Sequence, residues 1–548
     1  MAVARGYRAH AASGNGVAGI GAKPLAGAPF PLTALLTRPS FYMGVIVLSA
    51  LAVRLFFLFN HAGMWGVDGG AYLLSRNAVL GYEPTGADFP RPFLAPGWLL
   101  VPFTALLGDG GGLKAFSLAA SFVIVPPFLL LARKFLTPWQ TVAALFFVSF
   151  DWMLAEMFTA GPLPMFGFAW MLLAMWAIAT LNERRDWRAS VALAVAIPGI
   201  AYMNQTSAGI TALVLPLFTA VTLAQHRDAA GFRRVALAGA IGLALAATAW
   251  HWYVSVAPGS GYTRYPGPLI SFYSPSSAAW FQLPLGLIVG GYAVWRGRGF
   301  VRSLGAVTLL LSVMTPLVAS DESTMNVFYR GRYLLMAMVA LLATWAVGRT
   351  ALQSVKWRPY ALGYLGVLAV AVFGGYLVQL HFESKVGRMV TTDTEAAIGW
   401  VMAQEPRGSI VTNSYSLSLY VAALTRHRSP WTQIYDPPAL YATQHGQVVC
   451  LLGWVDGCDP ASARDALDAD YVVAETMWPT KEQDVGQRIQ GVGEAYRVVH
   501  SLNFFRSAGN DIGRMWQAPE HVWDVTARTP WLELVWERGT TKVWRVNT

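Results

Sequence analysis

The sequence predicts a polytopic α-helical membrane protein that carries a C-terminal α/β domain on the outer side of the bilayer. Three observations predict it. Of 548 residues, 55% are hydrophobic and only 13% are charged, about half the ~25% of an ordinary soluble domain. Apolar stretches of the ~20 residues that cross a ~30 Å hydrocarbon layer recur through the first 380 residues. From about residue 381 those runs shorten and begin to alternate with helical patterns. Disordered, fibrous and cytosolic classes are excluded by this balance. With two cysteines, Cys450 and Cys458, so are disulfide scaffolds and zinc fingers.

Residues 1–40 are rich in Ala and Gly, carry Arg5, Arg8, Lys23 and Arg38, and contain no acid. No apolar core follows the first basic residues, so they read as a disordered cytoplasmic arm and not as a cleaved signal. Membrane-spanning stretches begin near Phe41, Leu113, Pro138, Pro162, Ala189, Thr206, Val235, Ala278, Ser303, Tyr333 and Pro359. Basic clusters lie in every second connection: Arg133 and Lys134; Arg184, Arg185 and Arg188; Arg227, Arg233 and Arg234; Arg296, Arg298 and Arg302; Arg349, Lys356 and Arg358. Cytoplasmic loops carry such an excess of Lys and Arg. Residues 93–107 are also apolar, but short and broken by Pro96 and Pro102. If they crossed, every later basic cluster would fall outside. They are therefore expected to lie at the outer interface, leaving about eleven spans across residues 41–380, with the N-terminus inside and the C-terminus outside.

Charge divides along the same boundary. Residues 381–548 hold 15 Lys/Arg against 19 Asp/Glu, a net −4, so residues 1–380 carry +14 and the overall net charge is +10. That is anchoring of helix ends, and without aromatic-basic interleaving nucleic acid is set aside. In residues 381–548, SIVTNS, VVCLLGW, DYVVAE and WLELVWERG read as strands and TEAAIGWVMAQ as a helix. Cys450 and Cys458 either pair in an oxidising compartment or stay as two buried thiols.

Chemistry-bearing residues crowd the expected exterior connections. Asp68 directly follows the first span, with Tyr72 and Arg76 at helical spacing beyond it. A carboxylate at the membrane face is costly to desolvate, so it is kept for function or paired. A helix N-cap is the plain alternative for Asp68. Asp151 and Glu156 form an acidic second connection. The third contains Tyr262, Arg264 and Tyr265 among Gly and Pro, a composition suited to a gate or to an aromatic belt, with His251 just before it. In the fourth, Arg330 and Arg332 precede Tyr333 at the exterior start of a span. Arginine is disfavoured there unless an anion pairs with it, and guanidinium groups grip phosphate bidentately; Asp321 or Glu322 are the structural alternative. Arg54, inside the first span, is expected to snorkel outward.

AVRLFFLFN leading into Asp68-x3-Tyr72 and LSRNAVLGYEP, the proline-rich RPFLAPGWLLVPFTALLGD, and RGRYLLMAMVALLA resemble the GT-C superfamily of membrane glycosyltransferases. EAAIGWVMAQEPRGSIVTNS, YVAALTRHRS and LDADYVVAE are similar to the exterior domain of many members. The aminoarabinose and protein mannosyl transferases are the nearest in pattern. The resemblance implies a polyprenyl-phosphate-linked sugar as donor and a glycan, lipid or protein hydroxyl as acceptor, with transfer at the outer face of a bacterial plasma membrane. It implies Asp68 as general base, Asp151 or Glu156 as positioning acids, and Arg330, Arg332 and Tyr333, with Arg76 or Arg264, around the donor phosphate. Tyr72, His251, Tyr262 and Tyr265 would meet substrate. No cofactor is called for. The second connection lacks the DxE or DxD arrangement of oligosaccharyltransferases, which argues against that branch and against a metal, though a divalent metal stays an open alternative. Two other functions fit a polytopic chain: a lipid-linked glycan flippase, and a ligase using a diphosphate lipid. Ionisable residues crowd the outer face instead of the mid-membrane, which disfavours the flippase.

Overall fold

The computed structural model describes residues 37–66, 69–82, 94–151, 163–203, 205–226, 229–256, 271–272, 277–314, 317–318, 322–386, 390–412, 415–430, 447–448, 450–453, 457–475, 480–481, 515–516 and 526–547. The helices of the first part run as α1 (Pro39–Phe59), α2 (Gly69–Val79), α3 (Leu94–Phe122), α4 (Val125–Ala132), α5 (Pro138–Ser149), α6 (Leu163–Glu183) and α7 (Trp187–Met203). They continue as α8 (Gln205–His226), α9 (Ala229–Val256), α10 (Ser277–Arg296), α11 (Phe300–Met314), α12 (Glu322–Arg349) and α13 (Arg358–Val386). Five stretches of the described residues are long and apolar enough to cross a bilayer: Pro39–Phe59, Pro96–Ala132, Leu163–Glu183, Ala229–Thr248 and Arg358–Val378. Shorter apolar helices lie between them.

Helix starts follow local chemistry. Proline occupies the first turn of α1, α4 and α5, where the missing N–H costs nothing. Thr137 caps α5 reciprocally with Gln140. Packing then sorts the helices. α6 is apolar all round and buried on most sides, from Leu163 to Leu181, so it is the axis of the bundle. α13 instead turns Tyr364, Val367 and Val370 outward, each at least 69% exposed. Such apolar surface is stable only against hydrocarbon.

One end of the bundle gathers the basic connections. The rings of Tyr42 and Trp139 meet at 5.3 Å, placing the first turns of α1 and α5 side by side. Phe135 meets Phe300 at 5.5 Å, Lys134 pairs with Glu183 at 2.6 Å, and Gly348 leaves room for the Gln140 side chain. The start of α11 and the ends of α6 and α12 therefore share that end.

The apolar stretch Pro96–Ala132 is not one straight rod. Straight, its 37 residues would run ~55 Å, far beyond the hydrocarbon thickness. Gly108, at φ 69° and ψ 179°, breaks α3. Beyond the break the chain doubles back: a Cβ on Gly112 would lie 2.6 Å from the Thr104 Cγ2, and Phe103 meets Phe116 at 6.1 Å. Residues 94–107 thus form a helix of their own laid against α2, where Gly97 crosses the Ser75 carbonyl too closely for any side chain.

The C-terminal part builds a four-stranded sheet ordered β3-β4-β8-β7. Its strands are β3 (Ser409–Thr412), β4 (Ala469–Glu475), β7 (Leu532–Arg538) and β8 (Thr541–Val546). β3 and β4 run parallel, and the remaining pairs are antiparallel. Helices α14 (Thr392–Ala403), α15 (Tyr415–Thr425) and α16 (Pro460–Leu467) accompany them. Two short antiparallel pairs complete the strands. β1 (Ser271–Phe272) joins β2 (Leu317–Val318), and β5 (Thr480–Lys481) joins β6 (Met515–Trp516). SIVTNS, DYVVAE, WLELVWERG and TEAAIGWVMAQ form as expected. VVCLLGW does not: Gln447, Val448, Cys450 and Leu451 are helical, with the Leu452 N–H bonded to the Val448 carbonyl at 3.0 Å. Val448, Leu451 and Leu452 are all buried, a spacing of three and four that a seven-residue apolar run shares with a strand.

Cys450 and Cys458 form a disulfide across eight residues, settling the alternatives left by the sequence. Closing so short a loop stabilises by about 2–3 kcal/mol. Cys450→Ser is accordingly expected to lower the melting temperature of the C-terminal part, and thiol alkylation under non-reducing conditions is expected to label no cysteine in the unmutated protein.

Candidate functional site

The first connection, following α1, is where the bundle and the C-terminal part meet. A single apolar cluster contains Tyr72, Leu73 and Leu74 of α2, Leu100, Leu113 and Phe116 of α3, and the sheet residues Ile410, Val472 and Trp544. The connection is fastened from two directions. Met64 forms an antiparallel bridge with Val390, and the backbone of Gly63 passes so close to the Val390 carbonyl that a Cβ would lie 1.9 Å from it. On the other side, Tyr420 of α15 donates its hydroxyl to carbonyls of Trp65, at 2.9 Å, and Gly66, at 2.7 Å. A Cβ on Gly69 or Gly70 would strike Tyr420 or its backbone at 1.9 and 2.6 Å. Farther along α2, Asn77 donates to the Ala423 carbonyl at 2.8 Å.

Polar groups close the same junction. His61 Nε2 lies 2.8 Å from the Met64 carbonyl, and the Lys114 ammonium donates to the His61 carbonyl. Glu395, in the first turn of α14, accepts a hydrogen bond from the Met64 backbone and faces the Lys114 charge. Burial is the largest influence on Glu395 and raises its pKa; Lys114 and the Met64 N–H pull the other way.

The sequence-predicted residues fall into three groups. Asp68, Glu156, Tyr262, Arg264 and Tyr265 lie outside the described residues. The side chains of His251, Arg330 and Arg332 do as well, although their backbones are helical in α9 and α12. The remainder are placed. Asp151 is 3% exposed, just past the end of α5. Tyr72 packs edge-on to Phe116 at 5.7 Å. Tyr333 is fully buried in the bundle core. Arg76 pairs with Asp109 and also donates to Asn77 at 2.7 Å, tying α2 to the second half of α3. The backbones of the third and fourth connections meet in the β1–β2 pair.

Arg54 departs from expectation. It does not snorkel; it is 2% exposed. One guanidinium nitrogen donates to the Ser149 carbonyl at 3.1 Å, while the group lies over the rings of Phe122 at 4.6 Å and Tyr376 at 5.6 Å. Two aromatic faces and a carbonyl thus hold the charge and staple α1 to α5 and α13. The Tyr420 contacts were missed altogether. The glycine pair at 69 and 70 was their only trace in the sequence.

Among the described residues, no group of three His, Cys, Asp or Glu side chains could hold a metal.

No known family model matches the sequence, and no curated protein sequence does so either. Solved structures do match. The archaeal oligosaccharyltransferase AglB from Archaeoglobus fulgidus, in complex with an inhibitory peptide and a dolichol-phosphate, is 12% identical with a TM-score of 0.53, over 80% of this chain and 70% of that one. ArnT from Cupriavidus metallidurans bound to undecaprenyl phosphate is 16% identical with a TM-score of 0.51, over 91% and 97%. The arabinofuranosyltransferase AftD from Mycobacteria (mutant R1389S) is 14% identical with a TM-score of 0.55, over 92% of this chain but 41% of that one. The chain has the fold of the GT-C glycosyltransferases.

The junction makes a pH prediction. Because burial raises the Glu395 pKa, the folded chain binds more proton than the unfolded one between the two pKa values. The stability this group contributes is full below the unfolded pKa and is lost as pH rises through the folded one. Thermal melts across the region just above the ordinary Glu range should show that decline, and Glu395→Gln should flatten it.

Proposed function

We propose that the chain is an inverting glycosyltransferase that moves a sugar from a polyprenyl-phosphate donor to an acceptor hydroxyl at the outer face of the membrane. The carrying observation is the first connection, which holds Asp68 and is clamped between the bundle and the C-terminal domain in a chain with the GT-C fold. ArnT, whose fold the chain shares along nearly its whole length, binds undecaprenyl phosphate.

The orientation follows from charge. α1 and α5 start at the same end, beside the basic connections, so the chain between them crosses an even number of times. α1 and the second half of α3 with α4 supply two crossings, and residues 94–107 lie at the outer interface. Continuing through α13 gives about eleven crossings and sets residues 390–547 outside. A disulfide in that domain agrees with an oxidising exterior.

In this reading Asp68 takes the proton of the acceptor hydroxyl. The oxygen attacks the anomeric carbon from the face opposite the phosphate. The bond from anomeric carbon to phosphate oxygen breaks, its electron pair leaves with the lipid phosphate, and the configuration inverts. Arg330 and Arg332, with Arg264 from the third connection, stabilise the departing negative charge. The β1–β2 pairing supports this grouping, since it joins the backbones of the third and fourth connections. Arg76 is committed to Asp109, and Tyr333 anchors the helix that carries the two arginines. Asp151 or Glu156 orients substrate, and His251, Tyr262 and Tyr265 face the sugar. The acceptor is a glycan, a lipid or a protein hydroxyl. No step is routed through a metal.

A positioned carboxylate base contributes about 10²–10⁴-fold. Asp68→Asn in full-length protein reconstituted with undecaprenyl-phosphate-linked pentoses and hexoses should lower the release of undecaprenyl phosphate by that factor, measured by mass spectrometry, with its melting temperature unchanged. Full turnover by the variant would remove Asp68 as the base. Release of a diphosphate lipid would favour a glycan ligase.

A further inference from the structure

Arg54 takes no part in the transfer chemistry, yet its burial is costly. It lies in α1 five residues before Phe59, the last of the helix, roughly 7–8 Å along the axis from that end. Among the described residues no carboxylate lies within ion-pair distance of it. Two ring faces and a carbonyl are weaker compensation for a desolvated cation than a counter-charge. Its hydrogen bonding is also incomplete. One terminal nitrogen donates to the Ser149 carbonyl at 3.1 Å, but the Nε–H meets no protein acceptor. Two neighbouring hydroxyls share that condition. The Ser149 Oγ has no protein partner, and neither has the hydroxyl of Tyr376, whose ring centre lies 5.6 Å from the guanidinium carbon.

All three side chains are at least nine-tenths buried. A cationic N–H and two hydroxyls, from α1, α5 and α13, thus stand together with no acceptor supplied by the chain. Buried donors are nearly always satisfied, and this set suits an anion with several oxygens. The surroundings say what carries the anion. The contacts of α13 with α1 and α5 lie toward its C-terminal end, at Phe373, Tyr376 and Leu380. There the rings of Phe373 and Tyr376 meet Phe150 at 5.1 and 5.5 Å. Earlier in the helix, Tyr360, Tyr364, Val367 and Val370 are exposed, and a Cβ on Gly363 or Gly366 would meet nothing within 4 Å. Hydrocarbon therefore has access along α13 up to the buried donors, so the anion that fits is the head of a lipid.

We propose that Arg54, Ser149 and Tyr376 form a binding site for the phosphate of a lipid phosphomonoester, whose hydrocarbon chain lies along α13. A phosphate oxygen accepts the Arg54 Nε–H, the two hydroxyls donate to its neighbours, and the negative charge offsets the buried guanidinium. Entry is lateral, between α1 and α13, where the helices face hydrocarbon. The site binds and does no chemistry, and it does not rest on the assignment of Asp68. A free phosphate ion offers the same head without the chain, so the test separates the two.

Full-length protein in detergent micelles is titrated with undecaprenyl phosphate, undecaprenol or inorganic phosphate. The readout is the melting temperature, which a ligand of the native state raises with its concentration. Undecaprenyl phosphate should raise it, and the other two should not at equal concentration. Tyr376→Phe and Ser149→Ala each remove one oxygen and should each weaken undecaprenyl phosphate by about tenfold or more, as loss of a hydrogen bond to a charged group does. Their ligand-free melting temperatures should not fall, because neither oxygen has a protein partner to lose. The same series is run with Arg330 and Arg332 both replaced by alanine, so that binding at the donor arginines is not mistaken for binding at Arg54. Unchanged affinity in both hydroxyl variants overturns the proposal, as does loss of all binding once Arg330 and Arg332 are replaced. An equal shift with undecaprenol overturns the role of the phosphate, and an equal shift with inorganic phosphate overturns the assignment to a lipid. Asp68→Asn protein should bind undecaprenyl phosphate as the unmutated protein does, so failure of the transferase reading and failure of this site are separate results.

Discussion

The architecture depends on one apolar contact, the close approach of α2 to α15. Gly69 and Gly70 bring the two helices so near that a single cluster runs from Phe116 of α3 through Leu73 and Leu74 to the sheet core at Val472 and Trp544. Each buried Leu or Phe side chain in such a cluster contributes about 1.5–3 kcal/mol. A connection that would otherwise be a loose loop thereby acquires the rigidity of a core. Hydrogen bonds then fix its register: Tyr420 to the Trp65 and Gly66 carbonyls, Asn77 to Ala423, and the Met64–Val390 bridge. Packing supplies the stability, and these bonds supply the position.

The membrane part solves a different problem. Its outer surface can be apolar without penalty in hydrocarbon, so polarity within it has to be accounted for locally. Ser and Thr side chains return hydrogen bonds to their own helix, as Thr308 does to Leu304 and Ser312 to Thr308. Arg54 is the expensive exception. A single buried guanidinium held by a carbonyl and two rings is costly to bring out of water. Its return is a fixed geometry among α1, α5 and α13, and Tyr376 and Phe150 in turn share a buried cluster with Trp65 of the first connection. The junction is therefore braced from the bundle by aromatic packing and from the C-terminal part by Tyr420.

What the sequence reveals follows from how local each signal is. The helices of the first part are legible because each is decided by its own apolar run of residues, and alternating basic clusters need no tertiary knowledge. The stretch at 93–107, expected from charge parity to stand apart from the next span, has its counterpart in the break at Gly108. VVCLLGW was misread because a short buried run has no periodicity that distinguishes helix from strand. Arg54 was misread because snorkelling is the usual outcome for a lone arginine, and the trapping rings come from residues 122 and 376. Tyr420 was invisible for the same reason, since its partners lie more than 350 positions away. Asp68 drew attention by its place after the first span, yet the tyrosine that bonds the preceding Trp65 and Gly66 carbonyls did not.

Identity of only 12–16% to proteins with the same fold has a physical reading. A bundle in lipid needs apolar volume of the right shape at each position, and many residues satisfy that requirement. Its sequence can drift far while the helices keep their arrangement. The close contacts after α1 obey stricter geometry, but they are few and contribute little to overall similarity. Function resides in sites carried by folds and not in folds themselves. The glycines at 66, 69 and 70 show the distinction. Replacing a bundle leucine with methionine would barely disturb the packing, whereas one added carbon at Gly69 meets the Tyr420 hydroxyl head-on. Constraint is therefore concentrated where α2 and α15 touch.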